Sequence, residues 1–187
     1  HRAAASIVAV TQYLPSYGGL LMETEIRNMD TVLHKSGHPF TVMMGGIKMA
    51  DKIKTLENLG KQADKVLLGG GLANLVLQSM GTNIGQSVVD KDGEAYAKSL
   101  LQNFKDKIVL PKDVVVANKA MDPQTIRAIP IYEIKDSDAI LDIGPQTILE
   151  YARILKDSKT IVWNGPVGHF EVKAFRTGTM SLARIIG

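Results

Sequence analysis

The chain has 187 residues, of which 45% are hydrophobic and 22% are charged, and its formal net charge is +3. This length can bury a sizeable core in one domain, and so small a positive charge gives no reason to expect nucleic-acid binding. Because cysteine is absent, disulfide bonds, thiolate zinc sites and cysteine nucleophiles are excluded. No apolar run is long enough to predict a membrane span, and the four histidines show no metal-binding spacing.

The first two predicted elements are helices. An alanine-rich pattern over residues 3–14 favours a helix that ends near Pro15. Apolar residues then recur at the spacing of an amphipathic helix, at Met22, Ile26, Met29 and Leu33. The chain begins at His1 rather than at a methionine, just before the alanine-rich pattern, so we expect it to be a piece of a longer protein.

A glycine turn with two lysines follows the first predicted strand. Residues 40–44 form a short apolar run, which predicts a buried strand, and helical spacing begins again at Met49. Lys48 and Lys52 are four residues apart, so we expect them on one face of the first helical turn. The helix dipole is positive there, and two more positive charges indicate a bound anion such as phosphate. The simpler alternative is that both lysines are merely solvated.

The second predicted strand, over residues 65–68, runs into the triplet Gly69, Gly70 and Gly71. Three glycines between a strand and a helix let a ligand approach the backbone closely, whereas a tight turn usually needs only one. The triplet does not match the dinucleotide fingerprint, and the sequence has no Walker A pattern.

The second half of the chain continues the alternation of strands and helices. The predicted elements are a helix over 92–107, one strand over 108–117 interrupted by Pro111, a short strand near 128–131, a strand at 140–141, a helix beyond Pro145, a strand over 160–163 and a helix over 179–186. This order predicts an α/β fold, a three-layer, doubly wound parallel sheet of Rossmann-like type with helices on both faces. Ligands bind such sheets at the carboxyl ends of the strands. We therefore expect one common edge for the glycine turns that follow Met44, Leu68, Leu141 and Trp163.

Five motifs, in this order, make a family recognisable. They are Gly-Gly-x-Lys-x-x-Asp-Lys-Ile, Gly-Gly-Gly-Leu-Ala, Asp-Val-Val-Val-Ala, Asp-Ile-Gly-Pro-x-Thr and Val-Trp-Asn-Gly-Pro-x-Gly-x-Phe-Glu. The whole chain resembles the C-terminal, nucleotide-binding domain of phosphoglycerate kinase. The resemblance implies a hinge helix between domains over residues 1–14 and a nucleotide-binding domain over 15–187. It also implies phosphoryl transfer between ATP and 3-phosphoglycerate with Mg²⁺, giving ADP and 1,3-bisphosphoglycerate, in a monomeric, cytoplasmic enzyme of glycolysis and gluconeogenesis that binds neither membrane nor nucleic acid.

The resemblance implies roles for residues around the phosphates and the ribose. Lys52 resembles the lysine that binds nucleotide phosphate, and Lys48 resembles the lysine that follows the phosphoryl group during transfer. Gly46 belongs to the same nucleotide-binding turn. Asn164 resembles a residue near the phosphates, and Glu171 resembles the residue that holds the ribose hydroxyls.

The other implied contacts concern the base and the acid substrate. The adenine slot is expected between two segments, which contribute Gly69, Gly70 and Leu72 on one side and Gly144 and Pro145 on the other. Arg2, with His1, resembles part of the basic patch that binds 3-phosphoglycerate. In the family most of that substrate site lies on an N-terminal domain, which this chain lacks.

The sequence also departs from the family pattern. Ala4 replaces a histidine, Ile47 a small alanine, Asn118 an aspartate, and His169 an apolar residue; we expect His169 to be a partly exposed loop residue. The chain ends before the family's Gly-Gly-Gly-Asp loop, so we expect these residues to bind nucleotide weakly and not to catalyse. One alternative is a catalytically dead nucleotide-binding module derived from this domain. A NAD-dependent enzyme is disfavoured, because the Gly-x-Gly-x-x-Gly turn is missing.

Overall fold

The protein is described by a computed structural model over residues 4, 6, 8–48 and 52–187, without the side chains of Ile53 and Lys54. The chain divides into two compact units, His1–Ser36 and Gly37–Gly187. The proposed substrate contacts of His1 and Arg2 lie outside the described residues.

The first unit contains a short 3₁₀ helix, Ala9–Gln12, and the α-helix α1, Leu20–Lys35. The amphipathic helix predicted here is confirmed as α1, none of whose side chains is buried. Over the described residues, the helix expected up to Leu14 is reduced to the 3₁₀ segment. The compact units divide after Ser36, while the domain bounds 1–14 and 15–187 and the hinge role of residues 1–14 stay predictions.

The second unit combines strands and helices. Its strands are β1 Phe40–Met44, β2 Lys65–Leu68, β3 Ile108–Val109, β4 Asp113–Asn118, β5 Arg127–Pro130, β6 Asp138–Ile143 and β7 Thr160–Asn164. Its α-helices are α2 Ile53–Gln62, α3 Gly70–Ser79, α4 Glu94–Phe104, α5 Pro145–Asp157 and α6 Thr177–Ile186. No helix within the described residues combines the length and apolarity needed to cross a bilayer.

Four strands form the predicted parallel sheet, in the order β3-β2-β1-β7. The chain proceeds outward from β1 through β2 to β3 and later returns to the other side of β1 with β7. The strand order therefore reverses between β1 and β7. In doubly wound folds the ligand crevice opens at the carboxyl ends of the strands at such a switch point.

Helices flank this sheet, as predicted. Met43 and Leu67 belong to a buried cluster with Tyr151, Leu155 and Leu182, which come from α5 and α6. Because side chains alternate along a strand, the neighbours of Met43 and Leu67 point to the opposite face. Helix α2 contacts β1, and α2 and α3 both pack against α4.

A second sheet was not predicted. β5, β4 and β6 form an antiparallel sheet, so the expectation of one strand over 108–117 is wrong. Pro111 has no N–H to donate to a ladder and separates β3 from β4. Beyond it, the Asp113 carboxylate accepts hydrogen bonds from the backbone N–H groups of Gln146 and Thr147, which ties the start of β4 to α5.

Candidate functional site

Three of the four predicted glycine turns meet at the carboxyl edge of the parallel sheet. Gly46 N–H donates to the Pro166 carbonyl over 2.9 Å, and Gly70 N–H donates to the Val167 carbonyl over 2.8 Å. Leu72 N–H donates to the Gly46 carbonyl over 3.0 Å. The turns after β1, β2 and β7 are thus joined through their backbones. The fourth turn follows β6 in the antiparallel sheet, so its expected place on this edge is wrong.

Two of these turns require glycine. Gly46 has φ +88° and Gly70 has φ +58°, both in the left-handed region that side chains disfavour. A β-carbon at Gly70 would also lie 3.0 Å from the Gly46 nitrogen. The sequence therefore brings bare backbone from two strand ends together at one place.

A cleft of about 530 Å³ opens over these turns. Its volume lies in the range typical of small-molecule sites. Its titratable side chains belong to Lys48, Lys52, Asp142, His169 and Glu171. Its larger apolar side chains belong to Ile47, Val88, Met121, Ile140, Leu141 and Val167. Charged groups and an apolar wall in one cleft suit a ligand with an ionic part and a flat or apolar part.

Both predicted lysines line the cleft, but not in the way expected. Helix α2 begins at Ile53, Lys52 occupies its N-cap position, and Lys48 lies outside the helix. The prediction that they share the first helical turn is therefore wrong. The Lys52 ammonium lies against Gly46, since a β-carbon there would be 2.5 Å from Nζ. Neither α2 nor α3 has an acidic residue in its first turn, so their positive ends and the lysines favour an anion.

Asp142 is a buried carboxylate in the wall of the cleft, with 2% of the residue exposed. It accepts hydrogen bonds from Ile143 N–H over 2.9 Å and from Gly178 N–H, in the first turn of α6, over 2.7 Å. Burial raises the pKa of Asp142 to about 6, and the two hydrogen bonds offset only part of that rise. The side chain thus connects the cleft wall to α6.

The segment after β7 carries His169 and Glu171 into the cleft. His169 N–H donates to the Leu141 carbonyl over 2.7 Å, and Val172 N–H donates to the His169 carbonyl over 3.1 Å. These bonds fix the backbone on both sides of the pair. His169 Nε2 lies 3.9 Å from Glu171 Oε2.

Sequence reasoning missed the apolar wall of the cleft. Val88 lies in a loop after α3, and Ile140 lies in the antiparallel sheet. Met121 has φ +57°, a left-handed conformation that is uncommon outside glycine, and its N–H donates to the Asn118 carbonyl over 2.8 Å. The Asn118 side chain in turn accepts a hydrogen bond from Asp122 N–H. No periodic pattern marks these residues, because loops and a distant strand bring them together.

The predicted site residues within the described part of the chain divide into two groups. Those that line the cleft are Gly46, Lys48, Lys52, Gly70 and Glu171. Those that do not are Gly69, Leu72, Gly144, Pro145 and Asn164, whose nucleotide contacts stay predictions. Near the first group, Leu72 is buried with its N–H on the Gly46 carbonyl, and the Asn164 carbonyl accepts from Gly45 N–H.

A metal ion held by the protein alone needs several ligands close together. Within the described ranges, no three His, Asp or Glu side chains are grouped so that they could hold a metal ion. Asp142 already uses its carboxylate on two backbone N–H groups. The described residues therefore offer no cluster of side chains that would hold Mg²⁺ without the phosphates of a bound nucleotide.

A family model described as phosphoglycerate kinase matches residues 1–187. The chain belongs to the phosphoglycerate kinase family. A phosphoglycerate kinase of Thermomicrobium roseum is 40% identical over 189 residues, which cover 100% of this chain and 48% of that protein. One of Deinococcus radiodurans is 41% identical over 188 residues, covering 100% of this chain and 46% of the relative.

Solved phosphoglycerate kinases share the fold. The structure from Pyrococcus horikoshii matches with a TM-score of 0.85 and 30% identity, over 100% of this chain and 48% of that one. The structure from Coxiella burnetii matches with a TM-score of 0.82 and 34% identity, over 90% and 44%. The predicted family and Rossmann-like fold class are confirmed. The chain spans about half the length of the relatives that it matches.

Proposed function

We propose that this chain supplies the ADP and ATP site of a phosphoglycerate kinase. The whole enzyme transfers a phosphoryl group between ATP and 3-phosphoglycerate, giving ADP and 1,3-bisphosphoglycerate. The observation that carries the proposal is the meeting of Lys48, Lys52 and the Gly46 turn in one cleft at the switch point of the sheet. Family membership supports the same assignment.

In this proposal the phosphates lie at the lysines. Phosphoryl transfer needs in-line positioning and positive charge around the moving oxygens more than covalent help from the protein. Lys52 holds nucleotide phosphate beside Gly46, and the more exposed Lys48 follows the phosphoryl group during transfer. The positive ends of α2 and α3 add to the attraction without any rearrangement of the backbone.

The rest of the nucleotide occupies the remainder of the cleft. The Glu171 carboxylate can accept hydrogen bonds from both ribose hydroxyls. The flat base packs against apolar side chains from the wall, with Val88, Met121 and Ile140 as its proposed contacts. Gly70 and Gly71 allow close approach of the ligand to the backbone at the start of α3.

Mg²⁺ is proposed to arrive with the nucleotide. Mg²⁺ keeps several waters and is often held by substrate phosphates with only one or two carboxylates. Because the described residues do not form a metal site, we assign no residue of this chain to the ion. We propose that 3-phosphoglycerate binds mainly to the part of the longer relatives that this chain does not span, with Arg2 and His1 contributing to that site.

Calorimetric titration with Mg-ADP tests this function. We expect the parent chain to bind and Lys52→Ala to bind roughly ten- to a hundredfold more weakly, because a charge-assisted hydrogen bond contributes about 1.5–3 kcal/mol. Lys61→Ala is the matched control, since Lys61 is an exposed lysine in the last turn of the same helix. The proposal is wrong if the folded parent does not bind, or if both variants weaken binding equally.

A further inference from the structure

We propose that His169 sets the pH dependence of nucleotide binding by competing with the ribose hydroxyls for the Glu171 carboxylate. The proposal rests on the function proposed above. It concerns a histidine that lines the cleft beside Glu171. The positive imidazolium would then weaken binding, although it adds positive charge to a site for an anion.

The geometry places the two side chains within reach of each other. The distance from Nε2 to Oε2 is 3.9 Å, close enough for an ion pair when the imidazole is protonated. Both side chains line the cleft, and 39% of the His169 side chain and 67% of the Glu171 side chain are exposed. Because both side chains are exposed, small rotations can close the remaining gap. The backbone of the segment need not move, since His169 N–H is bonded to the Leu141 carbonyl.

Competition follows from the chemistry of the two partners. A carboxylate can hold a ribose diol with one oxygen on each hydroxyl, which requires both oxygens to face the sugar. An imidazolium attracts the nearer oxygen, Oε2, toward itself and away from that arrangement. A neutral imidazole exerts much less attraction. Protonation of the imidazole strengthens this attraction, so the competition increases as the solution is acidified.

The effect is modest, because the pair is largely exposed. Ion pairs of this kind contribute about 0.2–1 kcal/mol, which corresponds to a change of at most about fivefold in affinity. The other titratable groups of the described cleft are Lys48, Lys52 and Asp142. Asp142 contacts the same segment, since a β-carbon at Gly168 would collide with its carboxylate. Every variant compared below keeps Asp142, so the difference in pH dependence between the parent and His169→Gln reports on His169.

The test is the affinity for Mg-ADP at about pH 8 and about pH 5.5, in the parent chain and in His169→Gln. We expect the parent to lose about two- to fivefold more affinity than His169→Gln on acidification. Protonation of ADP itself is common to both proteins and cancels. His38→Gln is the matched control, because His38 also pairs with a carboxylate, Asp64, but lies before the amino end of β1. We expect that control to follow the parent.

The second part of the test repeats the comparison in proteins that carry Glu171→Gln. In a Glu171→Gln background the His169→Gln change should no longer alter the pH dependence, because the contested carboxylate is gone. Three results overturn the inference while nucleotide binding stands. The parent and His169→Gln could show equal pH dependence, or the parent could bind more tightly at low pH. The effect of His169→Gln on the pH dependence could also persist without Glu171. No binding by any folded variant at either pH overturns the proposed function and this inference with it.

Discussion

Replacement of Asp142 by asparagine tests how the wall of the cleft is held. Burial raises the pKa of this carboxyl from 3.8 to about 6, so the folded protein holds its proton more tightly than the unfolded chain does. The favourable contribution to the free energy of unfolding, about 3 kcal/mol, is complete only below about pH 4 and vanishes as the pH rises through 6. Between about pH 5 and 7.5 this group alone should lower the free energy of unfolding by about 1.4 kcal/mol.

In Asp142→Asn this fall of about 1.4 kcal/mol should be missing from the profile over the same range, because asparagine does not titrate. The variant also loses one of the two carboxylate acceptors for the N–H groups of Ile143 and Gly178, a constant cost of about 1–3 kcal/mol. Asp64 and Asp138 do not confuse the result, since their pKa values are lowered below 3.8 and their contributions change only under more acidic conditions.

Urea unfolding of both proteins at the two pH values measures this difference, with Asp106→Asn as an exposed control that should keep the parent profile. The free energy of unfolding should fall more between the two pH values in the parent than in Asp142→Asn, and the difference between the two falls is the contribution of Asp142. If Asp142→Asn kept the slope of the parent, Asp142 would not be the group that titrates near pH 6, and the assigned role of its burial would be wrong.

Two further predictions concern the edge of the parallel sheet. Tyr151→Phe removes the hydroxyl whose single proton is shared between the carbonyls of Leu68, at 2.6 Å, and Val109, at 3.0 Å. It should lower the free energy of unfolding by about 1–3 kcal/mol in urea titrations, and an unchanged midpoint would refute this. Gly69→Ala places a β-carbon 2.6 Å from Cβ and 2.8 Å from Cα of Val167, and should cost about 1–3 kcal/mol in the same assay. A variant as stable as the parent would show that the two turns can separate freely.

The sequence predicts those parts of the fold whose signals are local. β1, β2 and β7 are short apolar runs that end at glycine turns, and the structure places all three in the parallel sheet. The start of α2 was misplaced, because the helical spacing of apolar residues begins at Met49 although α2 begins at Ile53. The antiparallel sheet was missed for a different reason. Its strands are defined by partners far along the chain, and Pro111 looked like an interruption rather than a boundary.

The candidate site shows the same division. Gly46 and the lysines could be found from one short stretch, since the turn and the charges adjoin in sequence. Met121 could not be found, because its position depends on a loop held by Asn118. His169 was predicted as a partly exposed loop residue and is one, but the pairing of its segment with Leu141 also brings it into the cleft. Burial of Asp142 likewise depends on α6, which follows it by more than thirty residues.

The most direct test of the central claim is backbone hydrogen exchange with and without Mg-ADP, which reports where nucleotide binds. Nucleotide bound in the cleft should slow exchange in three separate segments, at residues 46–48, 70–72 and 168–171. Exchange in Glu94–Phe104 should not change, because that helix contributes no residue to the cleft. Saturating Mg-ADP that left all three segments unchanged in a folded protein, or that slowed exchange only elsewhere, would contradict the assignment of the cleft to nucleotide.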